Sequence, residues 1–134
     1  MRKPVEFTGH PIQYSEARDK GFTRGWCRYV VDGDTLDCLI DLGFGNYAYT
    51  TLRLNDIDTP EIYRPKDPQE REIGNRARDY TAAKVLDKPV LLKSHRDTET
   101  FGRYVAEVYY LEGQEWFNLG YQLQALGLAK KKGG

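Results

Sequence analysis

Four short motifs carry side chains able to do chemistry, and the groups in them are carboxylates and arginines rather than thiols or imidazoles. Asp32-Gly33-Asp34-Thr35 sets two carboxylates on either side of a glycine, and Asp56-Ile57-Asp58-Thr59-Pro60-Glu61 adds three more downstream. Carboxylates gathered in one place repel each other and raise their own pKa values unless a cation neutralises them. With no histidine or cysteine in either motif, the donors are hard oxygens, which select Ca²⁺ or Mg²⁺ over zinc or iron. Asp-Gly alone is explained as well by a hairpin turn; the second acidic group tips the reading towards a cation site.

The arginines complete the chemistry. Arg53 lies between Leu52 and Leu54 and must face the opposite side of a strand from both. By itself it reads as a residue on the solvent face of a half-buried sheet. Arg103 follows Phe101-Gly102 at the opening of another strand, where the glycine permits close backbone approach. Two guanidinium groups directed at a carboxylate–metal cluster suit a phosphodiester. They bind phosphate oxygens bidentately and stabilise the charge added in the transition state.

These motifs need a scaffold, and the pattern around them is β. Residues 26–31 alternate towards the Asp32-Gly33 turn, residues 35–40 return, and Gly43-Phe44-Gly45-Asn46 turns the chain again. Residues 47–54, rich in Tyr and Thr, complete a three-strand meander that brings Asp34 near Asp58. Residues 62–73 read as a loop with two prolines, and 75–87 as a helix capped by Asn75. Short strands follow at 89–93 and 104–111, then a second helix over about 116–126 stopped by Gly127. Five strands with a helix between the third and fourth predict an α+β fold, a five-stranded OB-type β-barrel with two or three helices. The expected domain is 26–130, with an irregular arm at 1–25 and a flexible tail at 131–134; the lysines at 130–132 read as solvated.

Composition excludes several classes. The chain has 134 residues, 40% hydrophobic and 13% aromatic, so it can build one core and is not a disordered polar chain. No apolar run approaches the ~18 residues of a membrane span. Two cysteines make neither a disulfide scaffold nor a zinc site. A soluble, cytoplasmic monomer is expected, although a processed secreted chain would have the same composition. Twenty basic and twenty acidic residues give zero net charge, which argues against a grip on nucleic acid by bulk charge. Residues 26–61 nevertheless hold seven acidic and two basic side chains. A positive partner is wanted there.

Taken in order, Asp32-Gly33-Asp34-Thr35, Leu52-Arg53-Leu54, Asp58-Thr59-Pro60-Glu61 and Phe101-Gly102-Arg103 resemble the staphylococcal nuclease (thermonuclease) family over roughly residues 26–130. The resemblance implies a Ca²⁺-dependent, sugar-nonspecific phosphodiesterase on an OB barrel, cutting DNA and RNA to 3′-phosphate products. It implies that Asp34 and Asp58 bind Ca²⁺ through carboxylates and Thr59 through its carbonyl, with Asp32 behind them. Glu61 becomes the general base, and Arg53 and Arg103 the clamp on the scissile phosphate. The sequence departs from the prototype in a longer turn at 42–46 and in Phe101, which stands in place of a tyrosine. It also ends before the prototype's third helix.

Other residues admit two readings. Arg64 and Lys66 could steer a phosphate backbone, or belong to a solvated mixed-charge loop. Tyr47, Tyr49, Tyr109 and Tyr110 could stack bases, although some must be core. His10 and His95 read as isolated surface or loop histidines, and Cys27 and Cys38 as reduced, partly buried thiols. The functional alternative is a catalytically inactive OB module binding nucleic acid or protein. Such a module gives no reason for Arg53, Glu61, Arg103 and the aspartates to occur together.

Overall fold

A β-meander builds the first half of the computed structural model, which describes residues 21–95 and 104–132. Strands β1 (Thr23–Asp32), β2 (Thr35–Gly43) and β3 (Asn46–Leu54) are antiparallel neighbours. Their alternation sends Cys27, Leu36, Cys38, Leu52 and Leu54 inward, all of them buried. The β2–β3 loop has φ +55° at Phe44 and +73° at Gly45, the left-handed pair of a two-residue hairpin whose twist matches its strands. β1 carries register shifts after Cys27 and after Val30. Such bulges bend a strand and re-aim its side chains, here just before Asp32.

After the two-residue strand β4 (Ile57–Asp58), helix α1 (Pro68–Val85) crosses to β5 (Pro89–His95) and β6 (Tyr104–Glu112). β5 pairs with β1 and β6, while β6 runs parallel to β3 through Leu52↔Tyr104, Arg53↔Val105 and Leu54↔Ala106. The circuit β1–β2–β3–β6–β5 is closed, as an OB-type barrel requires. β7 (Glu115–Asn118) folds back on β6 as an outer ribbon, and helix α2 (Leu119–Ala125) leads to β8 (Lys130–Lys131). Among the described residues no helix is long and apolar enough to cross a membrane.

Four expectations need correction. α1 starts at residue 68, not 75: Asp67 caps it by accepting the Glu70 N–H at 2.8 Å, and Pro68 supplies the first helical turn. The stretch at 116–118 is strand, and Asn118 caps a shorter second helix through the Tyr121 N–H. Lys130 and Lys131 have exposed side chains, but their backbone pairs with Asp58 and Ile57, so this stretch is held rather than frayed. His95 ends β5 in contact with the Glu107 carboxylate. Tyr109 and Tyr110 belong to the interior, and Tyr110 exchanges a hydroxyl hydrogen bond of 3.0 Å with Tyr80. Cys27 and Cys38 sit opposite each other as free, fully buried thiols.

Candidate active site

The aspartates are placed by a helix that comes unusually close to the strands. α1 buries Gly74, Ala77, Thr81 and Val85, a small-residue stripe at helical spacing. Against it lies the β1–β2 turn, where a Cβ on Gly33 would be 2.8 Å from both the Ala77 Cβ and the Thr59 Cγ2. Gly33 is thus needed for close approach, since its φ is not positive. Thr81 Oγ1 donates to the Gly33 carbonyl at 2.9 Å, satisfying a buried acceptor in the same turn. Two turns before Thr81, a Cβ on Gly74 would meet the Pro60 carbonyl at 2.7 Å and Ile62 Cγ1 at 3.0 Å. The helix therefore braces the chain on both sides of Glu61 as well as the turn bearing Asp34.

Asp34 is 6% exposed. Its Oδ2 accepts the Thr59 N–H at 3.0 Å, and its Oδ1 accepts the Thr35 hydroxyl at 3.0 Å. Its own carbonyl accepts the Leu54 N–H at 2.9 Å, tying the turn to the end of β3. Arg53, opposite Thr35 in the β2–β3 register, reaches across this junction. Its Nη2 lies 3.6 Å from Asp34 Oδ2 and is hydrogen-bonded to Asp58 Oδ1, while Nη1 donates to the Ile57 carbonyl at 3.3 Å. With 14% of its side chain exposed, Arg53 is not the solvated surface arginine that its strand position alone suggested.

Asp32 and Asp34 are pressed together, and their charges separate accordingly. Burial raises the Asp32 carboxyl to about 7, and the hydrogen bond and charge of Asp34 add to the rise. Burial also opposes ionisation of Asp34, but hydrogen bonds from Asp32, the Thr59 amide and Thr35, with the Arg53 charge, hold it below the usual carboxylate range. Asp58 is more open, at 37% side-chain exposure, and faces Lys130 across the β4–β8 pair. A cleft of about 370 Å³ runs beside Asp58 and Thr59, walled by the start of α1 and by Leu128–Lys130.

The structure brings together Asp32, Asp34, Arg53, Asp58 and the Thr59 amide. Glu61 stands in the following loop, exposed, with its Oε1 accepting the Tyr63 N–H at 3.2 Å. Arg64 and Lys66 are exposed further along that loop, and the Lys66 N–H is engaged by Glu70 at 3.1 Å. Arg103 and Phe101 lie outside the described residues, as does the chain up to residue 20. Among the described residues, no three acidic, histidine or cysteine side chains are close enough to hold a metal by themselves. Sequence reasoning missed Tyr63, whose hydroxyl donates to the Val31 carbonyl at 3.2 Å and moors the Glu61 loop to β1. It also missed Gly74 and Thr81, although the stripe Gly74, Ala77, Thr81 was there to be read at helical spacing.

The chain is also similar in sequence to known proteins. The family profile described as "Staphylococcal nuclease homologue" matches residues 51–132. A "Thermonuclease" of Staphylococcus hyicus is 32% identical over 104 residues, covering 77% of this chain and 56% of the relative. The "Thermonuclease" of Staphylococcus intermedius is 33% identical with the same coverage. "Protein ParB" of Escherichia coli is 34% identical over 86 residues, 64% of this chain and 41% of the relative. The chain therefore spans about half the length of the relatives it matches.

Proposed function

This chain belongs to the staphylococcal nuclease family, and from that premise we propose that it hydrolyses phosphodiester bonds of DNA and RNA. In this reading Ca²⁺ is the cofactor, single-stranded or unpaired stretches are preferred, and the products are 3′-phosphates. One observation carries it: a single guanidinium nitrogen, Arg53 Nη2, is shared by the Asp34 and Asp58 carboxylates. One carboxylate from the β1–β2 turn and one from β4 converge on one positive centre, as a hard-cation site requires, and the Thr59 carbonyl follows Asp58 directly in the chain.

Asp34, Asp58 and the Thr59 carbonyl would hold the cation, which when bound would polarise a phosphoryl oxygen and acidify a neighbouring water. Arg53, drawn from Asp58 to the substrate, donates to the phosphate oxygens, and Arg103 supplies the second clamp. Glu61 accepts the proton of the attacking water as its oxygen bonds to phosphorus. The bond from phosphorus to the 5′-oxygen breaks, and that oxygen takes up a proton. Every contact is to the backbone, so no base is read.

The test is degradation of single-stranded DNA and RNA with Ca²⁺, with Mg²⁺ and with a chelator. Cleavage should require Ca²⁺, and Glu61→Gln should lose about 10²–10⁴-fold in kcat. Its unfolding midpoint should not move, because Glu61 is exposed. A folded parent chain that cleaves neither polymer with either ion would reverse the reading in favour of an inactive OB module.

A further inference from the structure

Burial sorts the tyrosines into two sets. Tyr109 and Tyr110 are buried, but Tyr47 and Tyr49 are 50% and 62% exposed. Strand alternation places Tyr47, Tyr49, Thr51 and Arg53 on one face of β3, the outer one, because Leu52 and Leu54 on the other face are in the core. Leu39 extends that face across the meander, paired with Trp26 on one side and Tyr49 on the other. Trp26 meets Tyr47 with ring centroids 6.1 Å apart, and the Arg24 guanidinium lies over Trp26 at 4.9 Å.

We propose that this outer face is a stacking subsite for the bases of a single-stranded nucleic acid whose phosphate lies at Arg53. The inference rests on the nuclease reading for the role of Arg53, and on the aromatic face for everything else. Residues two apart on an antiparallel strand are separated by about 6.8 Å. That is twice the ~3.4 Å nucleotide spacing of a stacked strand, so Tyr47 and Tyr49 leave between them the width of one base. Tyr49 stands about 14 Å from Arg53 along the strand, a few nucleotides from the phosphate site. A duplex keeps its bases stacked inside, whereas a single strand can lay them on exposed rings. The two carboxylates on this face are engaged: Asp41 pairs with Arg24 at 4.0 Å, and Asp37 accepts the Thr51 hydroxyl at 2.6 Å. Continuity with Arg53 favours a nucleic acid over a protein as the occupant.

The test compares a thymidine octanucleotide with a mononucleoside p-nitrophenyl phosphate reporter, in the parent chain and in the double variant Tyr47→Ala/Tyr49→Ala. Each lost stack should cost ~5-fold or more. The double variant should therefore lose ~25-fold or more on the octanucleotide, in KM, beyond any loss on the reporter. Tyr49→Phe keeps the ring and should retain affinity. Octanucleotide binding is also followed by quenching of tryptophan fluorescence in a Glu61→Gln background, which needs no turnover. Tyrosine-dependent binding without cleavage by the parent chain would leave the subsite standing and overturn the nuclease reading. Octanucleotide binding indifferent to both tyrosines would overturn the subsite, whatever the cleavage result. The same holds if sedimentation shows that the double variant has lost only self-association, which would make this face a contact between copies.

Discussion

Gly33→Ala is the sharpest single perturbation of this site, because the turn bearing Asp32 and Asp34 lies directly against α1. The new methyl would sit 2.8 Å from the Ala77 Cβ, 2.8 Å from the Thr59 Cγ2 and 3.1 Å from the Ala77 carbonyl carbon. Carbon atoms at rest lie about 3.5–4.0 Å apart, so roughly 0.7–1.2 Å must be found on two sides at once. Neither neighbour is the free end of a long side chain. The backbone of Gly33 is in a region open to alanine, so the whole cost is steric. Overpacking of this kind costs about 1–3 kcal/mol, or about 0.5–1.5 M in urea midpoint at a slope near 2 kcal/mol/M. Moving Thr59 also strains the 3.0 Å bond from its amide to Asp34. A displacement of about 1 Å at a catalytic constellation can cost 10²-fold in rate. Urea titration and kcat on single-stranded DNA would be measured side by side, with Gly120→Ala as the control. There the nearest atoms lie at 3.4–3.6 Å, so stability should change by less than about 1 kcal/mol. A Gly33→Ala protein as stable and as active as its parent would refute the argument that the helix sets the position of the aspartates.

Two further predictions address the supports of the site and of the barrel. Thr81→Val keeps the volume but strips the Gly33 carbonyl of its buried donor, and should cost about 1–3 kcal/mol, whereas Thr81→Ser should recover most of it; chemical denaturation decides. Glu107 is opposed by burial, but the Tyr109 hydroxyl and His95 hold its carboxyl below its ordinary value of 4.5. A depressed acid stabilises the fold fully above that ordinary value and loses its contribution as pH falls through the lower folded-state value. Glu107→Gln should therefore be less stable at neutral pH and show a shallower loss below about pH 4.5. Parallel stability curves for the two proteins between pH 3 and 7 would contradict it.

Local chemistry made much of this protein legible from its residues alone. The period-two pattern of β1 to β3, the turns at Gly33 and Gly43–Asn46, and the helix between the third and fourth barrel strands all follow from short-range preferences. The same holds for the opposition of Arg53 to Leu52 and Leu54, which needs only strand alternation. The start of α1 was equally local: Asp67-Pro68-Gln69-Glu70 is a helix-start signal, overshadowed by the prolines that made 62–73 look like a loop. The tertiary structure decided what depends on partners far along the chain. It buried Tyr110 in the barrel core and Tyr109, on the opposite face of β6, in a second cluster with Phe22, Leu91 and Trp116, while leaving Tyr47 and Tyr49 outside. Closure of β3 on β6 determines which face of each strand is inside, and the other face is covered only where that second cluster forms. It converted Arg53 from a surface residue into a bridge between Asp34 and Asp58, since those carboxylates are 24 positions apart and meet only across the barrel end. It recruited Lys130 and Lys131 into a strand against Asp58 and Ile57, a pairing for which no local preference exists. It also assigned Gly33 its purpose. A glycine after aspartate announces a turn in any sequence, but the need for a missing Cβ arises only where Ala77 and Thr59 arrive from elsewhere to occupy its place.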